Sequence, residues 1–471
     1  MLFSSTLFIF YFLPIFFITY FLTPKGFKNL VIVLFSVVFY VWGDPNFFLI
    51  LGSTIVFNFF IAQQIARRLG NERKYLVAFA VIINVSFLLY FKYANFFVEN
   101  INALLSTINL GSITLLKVVL PIGISFFTFH QISYIVDVGR GVKPPSKNLI
   151  NYALYILIFP QLIAGPIIRY NEIADQLEGR KKSFDLDNVI IGFYRFCIGL
   201  GKKVLIANVL GAEADRIFSL PDNELSFGLS WLGAITYTFQ IFFDFSGYSD
   251  MAIGLARMMG FRFPENFNHP YISQNITEFW RRWHISLSRW MRDYLYIPLG
   301  GNRVSTGRLY FNLWVVFLIS GFWHGAQWTF ILWGAYHGFF LAADRLFLIK
   351  IFNKIGKFPR VVITFFLALI GWVVFRANDL NQAFNFYENM VSCTKPNLTL
   401  STELTCILVL AVILSFVPLY KHFGKIESKN IEGTLSSSKA ISFTILSILL
   451  LSLSVGSISS SNFNPFIYFQ F

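Results

Sequence analysis

FRFPENFNHPYISQNITEFWRRWHISLSRWMRDYLYIPLGGNR, residues 261–303, interrupts a chain otherwise built of apolar runs. Between Arg257 and Arg308 stand eight arginines, no lysine, three acidic residues (Glu265, Glu278 and Asp293) and two histidines. A short apolar run follows and ends in Gly321-Phe322-Trp323-His324-Gly325. Packing helices in lipid requires no such patch, and ionisable residues at membrane depth are costly. The chemistry of the molecule is expected here.

Outward from this stretch, composition decides the class. Apolar residues make up 56% of the chain and charged residues 13%, far from a soluble average. Runs near 20 residues recur, each long enough to cross the hydrocarbon core as a helix. The alternation of a barrel is absent, so helices must satisfy the backbone. The expectation is an all-α polytopic membrane protein. A net charge of +14 resides in short loops between runs, where bases orient the chain and meet anionic membrane lipid. Nucleic acid is not an expected partner. Cys197, Cys393 and Cys406 lack CxxC spacing, which points to neither a metal nor a disulfide framework. Lys25 and Lys28 follow the first apolar run rather than precede it. That order suits a first span with its N-terminus outside, not a cleaved signal peptide.

Candidate spans are 3–22, 29–43, 46–65, 75–92, 115–138, 188–210, 227–246, 309–323, 326–348, 361–376, 402–420 and 440–458. Segment 150–168 is also apolar, but basic residues flank it on both sides, and its centre reads FPQLIAGP. Proline disfavours a straight lipid-facing helix. A re-entrant hairpin buried in protein resolves both conflicts. Lys202 and Lys203 fall inside the 188–210 run and suggest an interfacial helix there. The count is therefore 11 to 13 transmembrane helices plus re-entrant and interfacial helices. No internal repeat or soluble domain is visible, so residues 1–471 read as one integral-membrane domain. It has a motif-bearing core at 120–345 and C-terminal transmembrane helices at 346–471.

Glu278 to Tyr294 reads as one amphipathic helix with Arg281, His284, Ser288 and Arg292 on a polar stripe. An interfacial helix explains the arginines and tryptophans without any chemistry. It does not explain His284, a poor lipid anchor. His324 suits general-base work on a hydroxyl, and the plainer reading is a histidine hydrogen-bonded between helices. His337 lies 13 residues on, about 20 Å along a continuous helix, and reads as structural. His130 reads as packing or channel lining. No metal-ligand spacing, GxSxG elbow or phosphate-binding loop occurs, so no metal is expected.

FDFSGYSDMAIGLARMMGFRFPENFNHPY (243–271), FWRRWHISLSRWMRDYLYIPLGGNR (279–303) and SGFWHGAQWTFILWGAYHG (320–338) resemble the membrane-bound O-acyltransferase family. The likeness is to the bacterial branch typified by the membrane subunit of alginate O-acetylation. ISYIVDVGRG (132–141), FPQLIAGPI (159–167) and WGDPNFFLILGSTIVFN (42–58) extend the likeness upstream. The resemblance implies tilted spans around a thin centre pierced by a central tunnel. The family's histidine base falls on His324 of FWHG, and its second histidine falls on His284.

The resemblance further implies acetyl-CoA as donor substrate, with Arg281, Arg282 and Arg289 holding its phosphates. Transfer would cross the bacterial inner membrane to an extracytoplasmic polysaccharide acceptor such as an alginate-like exopolysaccharide. A separate periplasmic SGNH-type acetyltransferase partner would finish the transfer to sugar. Peptidoglycan O-acetylation, D-alanyl transfer, a polymer or lipid transporter without chemistry, and a secretion scaffold are the alternatives.

Overall fold

The computed structural model describes residues 3–180, 185–392, 400–417 and 435–460. Cys393, Lys181, Lys182 and most of the basic run that starts at Lys421 lie outside them. Every regular element among the described residues is helical, as the apolar runs and absent alternation required. The helices group into two compact units, Met1–Phe184 with Gly260–Phe263, and Asp185–Met259 with Pro264–Phe471.

The first unit holds α1 (Leu13–Leu22), α2 (Lys28–Gly43), α3 (Phe48–Arg67), α4 (Gly70–Thr107), α5 (Ile124–Gly139), α6 (Leu149–Leu157), α7 (Phe159–Leu162) and α8 (Tyr170–Glu178). The expected span at 75–92 is the middle of α4, which at 38 residues runs about 57 Å. The expected span at 115–138 becomes helical only from Ile124. Segment 150–168 is a broken, buried element and not a straight helix. α6 has nine residues, about 14 Å, which is too short to cross. Pro160 opens the next helical turn. Ring contacts from Phe8, Phe12, Phe16 and Phe39 surround Phe159 at 5.1–6.2 Å. The backbone freed by the break is satisfied by side chains. Phe159 N donates to Ser36 Oγ at 3.1 Å, and Ile168 N donates to His130 Nε2 at 3.2 Å. His130 is thereby a structural acceptor.

The second unit begins with α9 (Leu186–Gly201), a π-helical stretch Lys202–Ala207, and α10 (Asn208–Phe218). It continues with α11 (Phe227–Met258), α12 (Ile276–Arg282), α13 (Ile285–Met291), α14 (Thr306–His324), α15 (Trp328–Ala343), α16 (Ile349–Phe352), α17 (Lys357–Arg376), α18 (Leu380–Val391), α19 (Thr402–Phe416) and α20 (Ser437–Ser460). α11 is the axis of this unit and is buried along nearly its whole length. It meets α9 at two glycine pairs. A Cβ on Gly192 would lie 2.6 Å from Gly254 O, and one on Gly247 2.7 Å from Gly199 O. Backbones approach this closely only where side chains are absent.

Close packing leaves little room for charge, yet three cations of α9 and its π-helical extension face α11. Lys203 pairs with Asp244 at 2.7 Å, with side chains 4% and 1% exposed. Lys202 pairs with Asp250 at 2.6 Å, and Arg195 reaches the same carboxylate at 2.9 Å. The expected interfacial helix at Lys202 and Lys203 is instead an interior one. Its lysines are tolerated because aspartates 41 and 48 residues on stand opposite them.

Among the described residues, five helices are long and apolar enough to cross a membrane, and two shorter apolar ones accompany them.

Removing one partner of a buried pair leaves a desolvated charge and costs about 3–5 kcal/mol. Asp244→Ala should therefore lower the unfolding temperature in detergent markedly. Lys203→Met combined with Asp244→Leu should restore most of it. An unchanged transition in Asp244→Ala would show that the pair carries no stability.

Candidate active site

The stretch expected to be one amphipathic helix is two short helices meeting at a sharp break. α12 is capped by Asn275, whose side chain accepts from Glu278 N at 2.7 Å. Asp344 adds a second cap, accepting from Thr277 N at 2.7 Å and Thr277 Oγ1 at 2.8 Å. The chain then turns extended at Trp283 (φ −98°, ψ 130°) and left-handed at His284 (φ 43°, ψ 54°). A left-handed non-glycine residue is strained and persists only where its surroundings impose it.

The surroundings here are residues 265–268, which run beside the break as a strap. Asn268 N donates to Arg282 O at 2.9 Å and Ile285 N donates to Asn266 O at 2.9 Å. The strap is itself anchored. Arg195 binds both Glu265 oxygens at 2.6 Å while also holding Asp250, and Asn266 Nδ2 donates to Ser249 Oγ at 3.0 Å on α11. The polar stripe expected through Arg281, His284, Ser288 and Arg292 therefore does not form. Arg281 and Arg292 are exposed, whereas His284 points inward and is 1% exposed.

His284 sits edge-on to Phe245 with ring centroids 4.7 Å apart. Its Nδ1 lies 3.1 Å from Asn266 Oδ1, and its Nε2 is buried with no hydrogen-bond partner among the described residues. Burial disfavours the imidazolium and lowers the pKa to about 3. The ring is therefore neutral at any ordinary pH.

His324 ends α14, also buried at 7% exposure. Its ring lies 5.1 Å from Trp333, 5.3 Å from Phe375 and 4.9 Å from Trp323. Trp323 is also 6.4 Å from the His284 ring. The two histidines singled out in the sequence thus contact one indole.

The chain leaves His324 through extended Gly325, whose Cβ, if present, would collide with the ring of Phe330. α15 then returns antiparallel along α14, with Gly321 and Gly334 in close apposition (a Gly321 Cβ would lie 3.0 Å from Gly334 Cα). This return corrects the separation expected for His337. The 20 Å figure assumed a continuous helix, but the turn brings His337 within 4.9 Å of the same Trp333 ring that His324 touches. His337 Nδ1 accepts from Trp280 Nε1 at 3.3 Å.

The three arginines divide. Arg282 is tied to Glu278 at 2.9 Å and to Asn268 O at 3.1 Å. Arg281 and Arg289 project from α12 and α13 as exposed cations.

A cavity of about 360 Å³ opens beside the strap. Its wall is largely apolar, with Ile198, Leu205, Phe242, Leu410 and Leu450, and its polar end carries Lys202, Asp250, Glu265 and Asn266. Among the described residues no three His, Cys, Asp or Glu side chains are grouped to hold a metal ion.

Sequence reasoning overlooked Asn266, Ser286, Trp323 and Trp333. Only the polar PENFNHP run around Asn266 hinted at a specialised loop.

Two inward-facing histidines at helix breaks, in an all-helical membrane fold, define the class. The chain belongs to the membrane-bound O-acyltransferase family, whose model matches residues 124–375, and it is a multi-pass membrane acyltransferase. It is 43% identical to the probable alginate O-acetylase AlgI of Azotobacter vinelandii, with all of both chains covered. It is 48% identical to the protein of that name in Pseudomonas aeruginosa, over 83% of this chain and 75% of the other. The peptidoglycan O-acetyltransferase of Helicobacter pylori is 40% identical over 83% of this chain and 80% of its own.

Gly325→Leu should displace Phe330 and with it the ring packed on His324. Overpacking of this kind costs about 1–3 kcal/mol, so a lower unfolding temperature and loss of transferase activity are expected. Retention of both would mean that the turn needs no glycine.

Proposed function

We propose that the chain moves an acetyl group from cytoplasmic acetyl-CoA across the bacterial inner membrane for O-acetylation of an extracytoplasmic polysaccharide, an alginate-like exopolysaccharide. The observation that carries this reading is the pair of buried imidazoles that both contact the Trp323 ring. Full-length similarity to proteins named alginate O-acetylase supports the acetyl group and the polymer.

In the proposed reaction His324 takes the proton of the acceptor hydroxyl as its oxygen attacks the thioester carbonyl. The new C–O bond forms, the C–S bond breaks, and the proton passes to the leaving thiolate to give free CoA. His284 is too weak a base to carry that proton, given its lowered pKa. Its Nε2 lone pair instead accepts a hydrogen bond from a second donor group of the bound substrates, because the single proton of the attacking hydroxyl goes to His324. The indole N–H of Trp333 is buried without an acceptor among the described residues, which makes it available to the oxyanion. Arg281 and Arg289 are the exposed cations for the donor's phosphates. Arg282 serves the fold through Glu278. A periplasmic SGNH-type acetyltransferase partner would receive the acetyl group and deliver it to the sugar.

His324→Ala should abolish acetyl ester on one purified surface polymer at unchanged membrane level of the protein. The polymer that loses ester names the substrate, and loss from peptidoglycan alone would favour the activity named for the Helicobacter pylori relative. Unchanged ester on every polymer contradicts the assignment. Arg281→Ala with Arg289→Ala should raise the KM for acetyl-CoA about 10-fold or more, the scale of losing charge-assisted phosphate bonds, with kcat little changed. An unchanged KM would place the nucleotide elsewhere.

A further inference from the structure

We propose that Asn266 is the positioning residue of His284, and that its side-chain oxygen fixes the imidazole as the Nδ1–H tautomer with the Nε2 lone pair turned into the site. The inference rests on the reading of His284 as part of the acyl-transfer site.

The tautomer follows from donor and acceptor roles around one atom. Asn266 Oδ1 and Nδ2 could in principle be exchanged. The backbone N–H of Ser286, which can only donate, faces Oδ1 at 3.3 Å, so that atom must be the oxygen. Nδ2 then donates to Ser249 Oγ at 3.0 Å. Ser286 Oγ also lies 2.8 Å from Oδ1. An amide oxygen accepts only, so His284 Nδ1 at 3.1 Å must carry its proton. In a neutral imidazole the other nitrogen is then an acceptor. That nitrogen, Nε2, is the buried atom left without a partner among the described residues. A buried polar atom without a partner costs free energy. The fold bears that cost while spending several hydrogen bonds to orient the same ring.

The backbone points the same way. Asn266 O accepts from Ile285 N, next to the left-handed His284. One residue thus holds the main chain on one side of His284 and the imidazole on the other. The Arg195 pair with neighbouring Glu265 holds that residue to α9.

The test is a double-mutant cycle on the full chain in native membranes, read as the initial rate of acetyl transfer from acetyl-CoA at equal protein level. Every other charged or titratable group of the elements around the ring, among them Arg195, Asp244, Asp250, Glu265, His269 and His324, stays unchanged throughout. Asn266→Ala should lower kcat about 10–100-fold, the scale found for residues that orient a functional histidine, with the KM for acetyl-CoA unchanged. Asn266→Leu, similar in size but without an acceptor, should match it, and Asn266→Asp should recover most of the rate. In a His284→Ala background, Asn266→Ala should cost nothing further.

If His284→Ala alone keeps the wild-type rate, the reading of the site fails and the proposal falls with it. If His284→Ala is impaired while Asn266→Leu is not, or if the two losses add, the proposal alone is overturned. Should the Ala and Leu variants not accumulate, Asn266→Asp decides. A carboxylate on Nδ1–H raises the basicity of Nε2, so protonation of His284 should add an acid limb that the wild-type rate profile lacks. A profile of wild-type shape overturns the proposal.

Discussion

A helix that breaks inside a membrane protein must find partners for the N–H and C=O groups it releases, because no water is at hand to satisfy them. This constraint organises the fold. At Phe159 the freed N–H goes to Ser36, and downstream the N–H of Ile168 goes to His130. At His284 the freed groups of Arg282 and Ile285 go to Asn268 and Asn266. Each break therefore fixes its neighbours as firmly as a continuous helix would, and the second places an imidazole where a straight helix would have left it on the surface.

The second unit can support such a break because its axis is rigid. The glycine pairs of α9 and α11 bring two backbones into contact, and the buried ion pairs lock their register. Arg195 extends this lock outward to Glu265, hence to the strap, and through the strap to His284. A line of polar contacts thus runs from the least exposed part of the fold to the His284 ring. Precision in a site of this kind comes from supporting residues held by packing rather than from the reacting groups themselves.

Much of this was legible in the residues. Hydropathy and the absence of alternation required an all-helical membrane protein, and Pro160 and Gly165 marked a broken segment. FWHG placed His324 at the end of a helix, and the polar stretch held the other histidine. What escaped notice depends on partners distant in the chain. ITEFWRRWHISLSRWM contains no proline or glycine, so nothing local announces the break at His284, which is imposed by residues 265–268. Lys202 and Lys203 looked out of place because Asp244 and Asp250 lie far along the chain. His337 looked remote from His324 because spacing was counted along a helix that turns back at Gly325.

The role proposed for the buried imidazoles is acetyl transfer between a donor on one side of the membrane and an acceptor on the other. It is tested most directly in proteoliposomes, with labelled acetyl-CoA outside and the periplasmic acceptor protein enclosed. Acetyl ester is expected on the enclosed acceptor with the wild-type chain and none with His324→Ala. Equal labelling by both, or labelling only when acetyl-CoA and acceptor share a compartment, would contradict it.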